Sequence, residues 1–189
     1  MTGKVCALVV THNRKDLLRE CLVSLRTLTR GPDRVLVVNN GCTDGTPDML
    51  RSEFPEVEVL HLPQNVGGAG GFHEGIKWAY GQGYDWFWLL DDDTIPAEDA
   101  LEHLLATADA FPAGDVPLLL ASKVVWTDGS LHPMNVPGIR SDAELAIRAA
   151  RAGAVSIRSA SFVSLLVSRR AVEKWGFPMR DYFVWNDDV

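Results

Sequence analysis

Short apolar runs alternate with segments of helical periodicity through the first two-thirds of the chain. The runs are rich in Val, Leu, Phe and Trp, as strands buried in a parallel sheet are. The predicted strands cover residues 5–10, 34–38, 57–62 and 85–90. The helices that follow them are expected near residues 14–30, 46–54 and 72–80 and beyond residue 96. This βαβαβαβα order predicts an α/β fold with a Rossmann-like, mostly parallel sheet and helices on both faces.

Local signals place the starts of these helices. Asn13 or Thr11 is expected to cap the first helix, because both side chains accept hydrogen bonds from free amides. Thr46 followed by Pro47 predicts an N-cap with proline at the first helical position. A glycine-rich stretch at 65–71 predicts a loop that leads into the third helix.

The remainder of the chain is less regular but belongs to the same domain. Strands are expected at 117–125 and 159–168, with a helix near 142–151 between them. A length of 189 residues with 47% hydrophobic and 23% charged residues suits one globular domain. The net charge of −7 argues against a protein that holds nucleic acid by its whole surface.

The cysteines and the apolar runs indicate a cytoplasmic protein. Cys6, Cys21 and Cys42 are odd in number and lack zinc-type spacing, which predicts reduced thiols. No stretch approaches the roughly 20 apolar residues that a membrane-spanning helix needs.

Polar or glycine-rich stretches follow all four predicted strands. They read "THNR", "NNGCTDGT", "NVGGAGG" and "DDDT". Ligands of doubly wound sheets bind outside the carboxyl ends of the strands. The four stretches are therefore expected to converge on one site at that end of the sheet.

Three aspartates, Asp91, Asp92 and Asp93, end the most apolar strand. In an extended backbone, Asp91 and Asp93 would point to one side and Asp92 to the other. Two carboxylates on one side suit a hard cation such as Mg²⁺ or Mn²⁺. The alternative is a solvated acidic turn in which Asp93 or Thr94 caps the next helix.

Five stretches carry a resemblance to a known family. They are "VVTHNRKDLLRECLVSL" (9–25), "VLVVNNGCTDGT" (35–46), "NVGGAGGFHEGIKWA" (65–79), "WLLDDDTIP" (88–96) and "YFVWNDDV" (182–189). Together they resemble family 2 glycosyltransferases with the GT-A fold, and most of all the rhamnosyl- and galactofuranosyltransferase branch. The resemblance implies one GT-A-like domain, with a nucleotide-sugar half at 1–95 and an acceptor-side half at 96–189.

The resemblance implies a UDP- or dTDP-linked sugar as donor, and it supplies the expected contacts. They are Thr11, Asn13, Arg14, Asn39, Asp44, Gly67, Gly68, Gly70, Gly71, Asp91 and Asp92. Asn39 stands where the family usually has an aspartate that holds the base or ribose. The residue-level alternatives are that Asn13 only caps a helix, that Asp44 with Gly45 only forms a turn, and that the glycines only permit close packing.

The resemblance also implies the chemistry. Asp91 and Asp93 would hold Mn²⁺ or Mg²⁺, which neutralises charge on the departing diphosphate. Asp187 and Asp188 resemble the pair that supplies the base, with Asp188 favoured to remove the acceptor proton. Such a single displacement inverts the anomeric configuration. The alternative for Asp187 and Asp188 is ordinary surface charge.

The chain stops at Val189, where the resembled family continues. The resemblance therefore implies either a C-terminally truncated form or a partner that supplies the missing part, and in this form donor binding is expected with reduced or absent turnover. The acceptor is expected to be a carbohydrate or a lipid-linked sugar in cell-surface polysaccharide or glycolipid synthesis, with peripheral association at the inner face of a membrane. Two alternatives stay open: an inactive nucleotide-binding or structural module, and a nucleotidyltransferase, which would show glycines after the first strand where "THNRKD" has none.

Overall fold

The computed structural model describes residues 3–183. Its strands are β1 (Val5–Thr11), β2 (Arg34–Asn40), β3 (Glu58–Leu62), β4 (Trp86–Asp91), β5 (Leu119–Ala121), β6 (Gly138–Ile139), β7 (Ile157–Ser159) and β8 (Leu165–Ser168). Its α-helices are α1 (Lys15–Arg26), α2 (Thr46–Glu53), α3 (Gly67–Gly81), α4 (Ala100–Asp109), α5 (Ala143–Arg151) and α6 (Arg169–Trp175). Two 3₁₀ turns occupy Pro133–Asn135 and Arg180–Tyr182.

Six strands form the central sheet in the order β3-β2-β1-β4-β8-β5. The first four are parallel, whereas β8 runs antiparallel to both β4 and β5. Strands β6 and β7 form a separate antiparallel pair. The prediction of a mostly parallel α/β sheet is confirmed.

Helices cover both faces of this sheet because alternate residues of each strand point to opposite sides. Val5, Ala7 and Val9 of β1 belong to a core that includes buried residues of α1, α2 and α4. Cys6 and Leu8, with Val10, belong to a second core with buried residues of α3 and α6. The sheet is therefore apolar on both faces, and polar groups collect at its ends.

Three local predictions are wrong. The first α-helix begins at Lys15 with Arg14 in the capping position, and no side chain caps it from there. The glycine-rich stretch forms the first turns of α3, which begins at Gly67, instead of a loop. The second helix begins at Thr46 with Gly45 as its N-cap, one residue earlier than the proline signal indicated.

The second half contains less regular structure than the apolar runs indicated. The expected strand at 117–125 shortens to β5, and the run at 159–168 yields only β8 after a break. The helix expected near residue 142 is present as α5, and the side chain of Asp142 caps it by accepting from the Leu145 amide.

The cysteines carry free thiols, as the sequence indicated. Burial raises the pKa of Cys6 and of Cys21 to about 12, so both stay protonated at neutral pH. Across residues 3–183, no helix is both long enough and apolar enough to cross a bilayer.

Candidate functional site

The register of the parallel strands brings their polar ends together. Val10 pairs with Val38 of β2 and with Asp91 of β4, and Thr11 pairs with Asn39. The residues that follow these strands therefore meet at one end of the sheet, hereafter its carboxyl end.

A charged cluster forms where the loops after β1 and β4 meet. The Thr11 hydroxyl donates to one carboxylate oxygen of Asp92 at 2.7 Å. One guanidinium nitrogen of Arg14 lies 2.9 Å from the other oxygen of Asp92, and a second lies 2.7 Å from Asp93. Arg14 therefore links two of the three consecutive aspartates.

Burial differs sharply between these two aspartates. The Asp92 side chain is 4% exposed, whereas the side chains of Asp93 and Arg14 are each 45% exposed. Burial raises the pKa of Asp92, although the hydrogen bond from Thr11 and the charge of Arg14 oppose that rise. Burial lowers the pKa of Arg14, but the hydrogen bond to Asp93 and the nearby carboxylates outweigh it, so the net pKa is raised.

The prediction that Asp91 and Asp93 point to one side and Asp92 to the other assumed an extended backbone, and that assumption is wrong. Strand β4 ends at Asp91, so Asp92 and Asp93 lie in a turn and not in extended backbone. Asp92 turns inward to Thr11, while Asp93 stays half-exposed beside Arg14. The assignment of Asp91 and Asp93 to a cation stays a prediction.

Asn39 and Asn40 end β2 and organise the neighbouring loops. Asn39, 4% exposed, accepts the Cys42 amide at 2.9 Å and contacts His61 Nδ1 at 2.9 Å. Asn40, 2% exposed, donates to the Gly67 carbonyl at 3.0 Å and so ties β2 to α3. Sequence reasoning missed Asn40, although its place after a buried strand could have marked it.

Asn13 and Asp44 connect the loops after β1 and β2. Asn13 adopts a φ of 55° and accepts the Thr43 amide at 2.7 Å. Asp44 accepts the Lys15 amide at 3.0 Å and the Thr46 hydroxyl at 2.6 Å, so one carboxylate serves the starts of α1 and α2. Burial raises the pKa of Asp44, but these hydrogen bonds outweigh it, and the net pKa is lowered.

The predicted glycines lie in the first turns of α3. A Cβ atom on Gly71 would lie 2.5 Å from Val10, and one on Gly70 would lie 2.7 Å from Val66. Gly67 has a φ of 76°, and Gly68 beside it is half-buried. Close packing therefore explains Gly70 and Gly71, while contact between these glycines and a donor stays a prediction.

The proposed base lies outside the described residues. Asp187 and Asp188 follow Phe183, the last described residue, whose carbonyl accepts the Ala69 amide in the first turn of α3 at 3.1 Å. The backbone leading to Asp187 and Asp188 is thus anchored beside the glycines of α3.

The carboxyl end of the sheet offers oxygen ligands for a divalent cation. Within residues 3–183, no three or more His, Cys, Asp or Glu side chains are grouped to hold a metal by themselves. Mg²⁺ is usually held by one or two carboxylates together with substrate phosphates. Asp91 and the half-exposed Asp93 would be the two carboxylates of such a site, and this assignment stays a prediction.

A cavity of about 320 Å³ lies elsewhere, lined by Leu118, Arg170, Glu173 and Lys174. Arg170 and Lys174 belong to α6, which begins after Ser168, and Ser168 pairs with Trp86 at the start of β4. This cavity is therefore at the opposite end of β4 from the aspartates.

The sequence profile of "Glycosyl transferase family 2" matches residues 6–174. The chain belongs to glycosyltransferase family 2. It is 44% identical over 120 residues to galactofuranosyltransferase GlfT1 of Mycobacterium tuberculosis, a match that covers 61% of this chain and 39% of that protein. It is 29% identical over 146 residues to N-acetylglucosaminyl-diphospho-decaprenol L-rhamnosyltransferase of the same species, covering 70% of this chain and 45% of that protein. These matches agree with the branch that the sequence indicated, and the chain spans less than half the length of either relative.

Solved structures share the fold at low sequence identity. TarS of S. aureus in complex with UDP matches with a TM-score of 0.71 and 17% identity, over 97% of this chain and 52% of that chain. The mannosyltransferase PcManGT of Pyrobaculum calidifontis, in complex with GDP-Man and Mn²⁺, matches with a TM-score of 0.62 and 19% identity, over 100% of this chain and 50% of that chain. The GT-A-like fold expected from the sequence is confirmed.

Proposed function

We propose that this chain is the donor-binding part of a metal-dependent, inverting glycosyltransferase. The donor is a UDP- or dTDP-linked sugar, and the acceptor provides a hydroxyl group. The observation that carries the proposal is the meeting of Thr11, Arg14 and the three consecutive aspartates at the carboxyl end of the sheet. Nucleotide ligands of such sheets bind at that end.

The three aspartates have separate roles in this proposal. Asp92 is held by Thr11 and Arg14, and it fixes the turn that presents its two neighbours. Asp91 and Asp93 hold Mn²⁺ or Mg²⁺ together with the diphosphate. When bound, the cation supplies Lewis-acid stabilisation of the departing diphosphate.

Arg14 and the loop residues serve the nucleotide. Arg14 is half-exposed and positively charged, so it is suited to a phosphate oxygen once the diphosphate is present. Thr11, Asn13, Asn39 and Asp44 line or support the same loops, since each is tied by hydrogen bonds to a neighbouring strand end or loop.

Asp188 is proposed as the base that removes the acceptor proton, with Asp187 beside it. The anchor at Phe183 supports this assignment, because five residues of chain reach at most about 18 Å. The Gly67 carbonyl beside that anchor is bonded to Asn40 at the carboxyl end of the sheet. A span of that length does not exclude Asp188 from the carboxyl end of the sheet, where the donor is proposed to bind.

The distribution of charge along the chain supports an anionic acceptor molecule. Residues 3–116 carry nine Lys and Arg against eighteen Asp and Glu, whereas residues 117–183 carry nine against five. A segment with a net positive charge favours phosphorylated or membrane-bound acceptors. We therefore propose a lipid-linked or carbohydrate acceptor, peripheral contact with the inner face of a membrane, and a role in cell-surface polysaccharide or glycolipid synthesis.

Turnover of the donor tests this function. With Mn²⁺ and a panel of UDP- and dTDP-sugars, we expect slow but measurable release of the free nucleotide by hydrolysis or transfer. Asp188→Asn should abolish turnover and leave nucleotide affinity within about twofold, because the base acts only in the chemical step. Asp48→Asn is the matched control, since Asp48 is an exposed carboxylate on α2.

Two results would contradict the proposal. Nucleotide binding without any turnover would favour an inactive nucleotide-binding module instead. Equal activity in Asp188→Asn and Asp48→Asn would remove Asp188 from the base role.

A further inference from the structure

The buried glycines of α3 face two different partners. Gly71 and Gly75 are four residues apart and face the sheet, where their Cβ atoms would meet Val10 and other β-strand side chains within 3 Å. Gly67 faces elsewhere: a Cβ there would collide with the backbone of Phe183, whose carbonyl carbon would lie 2.7 Å away. Gly71 and Gly75 therefore allow α3 to pack against the sheet, whereas Gly67 allows it to pack against the backbone of Phe183.

Further contacts join the same side of α3 to the segment 177–183. His73 Nδ1 lies 2.7 Å from the Pro178 carbonyl, which can only accept, so the ring donates. The rings of His73 and Phe177 lie 5.5 Å apart. A Cβ on Gly70 would lie 3.9 Å from the Arg180 carbonyl.

The start of α3 explains why this segment docks there. The first amides of an α-helix have no carbonyl partner within the helix. The Asn65 side chain accepts the Gly67 amide at 2.8 Å, and the Phe183 carbonyl accepts the Ala69 amide at 3.1 Å. Phe183 can approach this closely only because Gly67 lacks a side chain and tolerates a φ of 76°.

We propose that Gly67 and His73 form a seat for residues 177–183, and that turnover by the base assigned to Asp188 depends on this seat. Both are positioning residues. Gly67 is thereby assigned to the chain's own backbone and not to the nucleotide sugar. The inference rests on the proposed function for the role of Asp188, whereas the seat itself is measurable without any nucleotide.

Hydrogen exchange and kinetics test the seat with three variants. Gly67→Ala adds a side chain under Phe183, and His73→Ala removes the donor to Pro178 while leaving the backbone of α3 unchanged. Gly81→Ala is the matched control on the same helix, because its Cβ meets nothing within 4 Å.

We expect the Ala69 amide and the amides of 179–183 to exchange at least about tenfold faster in Gly67→Ala and His73→Ala than in Gly81→Ala. The UDP dissociation constant with Mn²⁺ should stay within about twofold of the parent value, while kcat falls and donor KM is unchanged. His73→Asn keeps an N–H near the position of Nδ1 and should restore both exchange and kcat.

Unchanged exchange in both Gly67→Ala and His73→Ala would overturn the seat. If Gly67→Ala weakens UDP binding by the same factor as it lowers kcat, Gly67 acts in donor binding and not in the seat. Failure of the proposed function has a different signature: the parent protein would not bind UDP, whatever the exchange data show.

Discussion

The guanidinium of Arg14 contacts two aspartates of unequal burial, so the two contacts should differ in energy. The Arg14–Asp92 contact joins a half-exposed group to a side chain that is 4% exposed. A hydrogen bond to a charged, buried group contributes about 1.5–3 kcal/mol. The Arg14–Asp93 contact joins two side chains that are each 45% exposed, and such surface pairs contribute about 0.2–1 kcal/mol.

Two double-mutant cycles measure these energies. One combines Arg14→Met with Asp92→Asn, which keeps an acceptor for Thr11, and the other combines Arg14→Met with Asp93→Asn. Urea unfolding at pH 7 without metal gives each free energy of unfolding. We expect the coupling with Asp92 to exceed that with Asp93 by about 1 kcal/mol or more, above the error of such cycles.

A coupling with Asp93 that equals or exceeds the coupling with Asp92 would refute this reasoning. It would mean that Arg14 holds Asp93 as firmly as it holds the buried carboxylate. Asp93 would then be poorly suited to exchange its partner for a cation.

Three further perturbations test the packing and the electrostatics. The free energy of unfolding of Gly75→Ala, measured in urea, should be about 1–3 kcal/mol lower than that of Gly81→Ala. The reason is that a Cβ on Gly75 would lie 2.7 Å from Leu8, whereas one on Gly81 meets open space. Equal free energies would contradict the close packing of α3. Asp44→Ala should cost about 1–3 kcal/mol in urea unfolding, since one carboxylate serves two helix starts, and a cost under about 0.5 kcal/mol would contradict that role. Burial raises the pKa of Asp92, so as the pH rises above about 4 the Asp92 carboxyl group loses its proton in the unfolded chain before it does so in the folded protein. The free energy of unfolding of the parent relative to Asp92→Asn should therefore fall from pH 4 to pH 7. A rise over that range would contradict a raised pKa.

The parallel half of the fold was predictable because β1, β2 and β4 are largely buried on both faces and its helices have regular apolar spacing. The antiparallel strand β8 was not, since a continuous apolar run carries no information on strand direction. The glycine-rich stretch misled prediction for a related reason. Glycine lowers helix propensity, but at Gly71 and Gly75 the contacts with the sheet override that preference.

The location of the candidate site at the carboxyl end of the sheet could be predicted from the sequence. The contacts among its side chains were harder to predict. The carboxyl ends of parallel strands must meet, so Thr11, Asn39 and Asp91 were expected together. The burial of Asp92 was not, because it depends on where β4 ends and on Arg14, which is 78 positions away in the chain. Such long-range pairing leaves no local pattern in a single sequence.

Calorimetric titration of UDP with and without Mn²⁺ tests the central claim most directly, namely that the carboxyl end of the sheet binds a nucleoside diphosphate through a divalent cation. We predict that Mn²⁺ strengthens UDP binding at least about tenfold, or about 1.4 kcal/mol. Asp93→Asn should abolish this gain and Asp48→Asn should preserve it. The same UDP affinity with and without Mn²⁺ in the parent protein, or an undiminished gain in Asp93→Asn, would contradict the account.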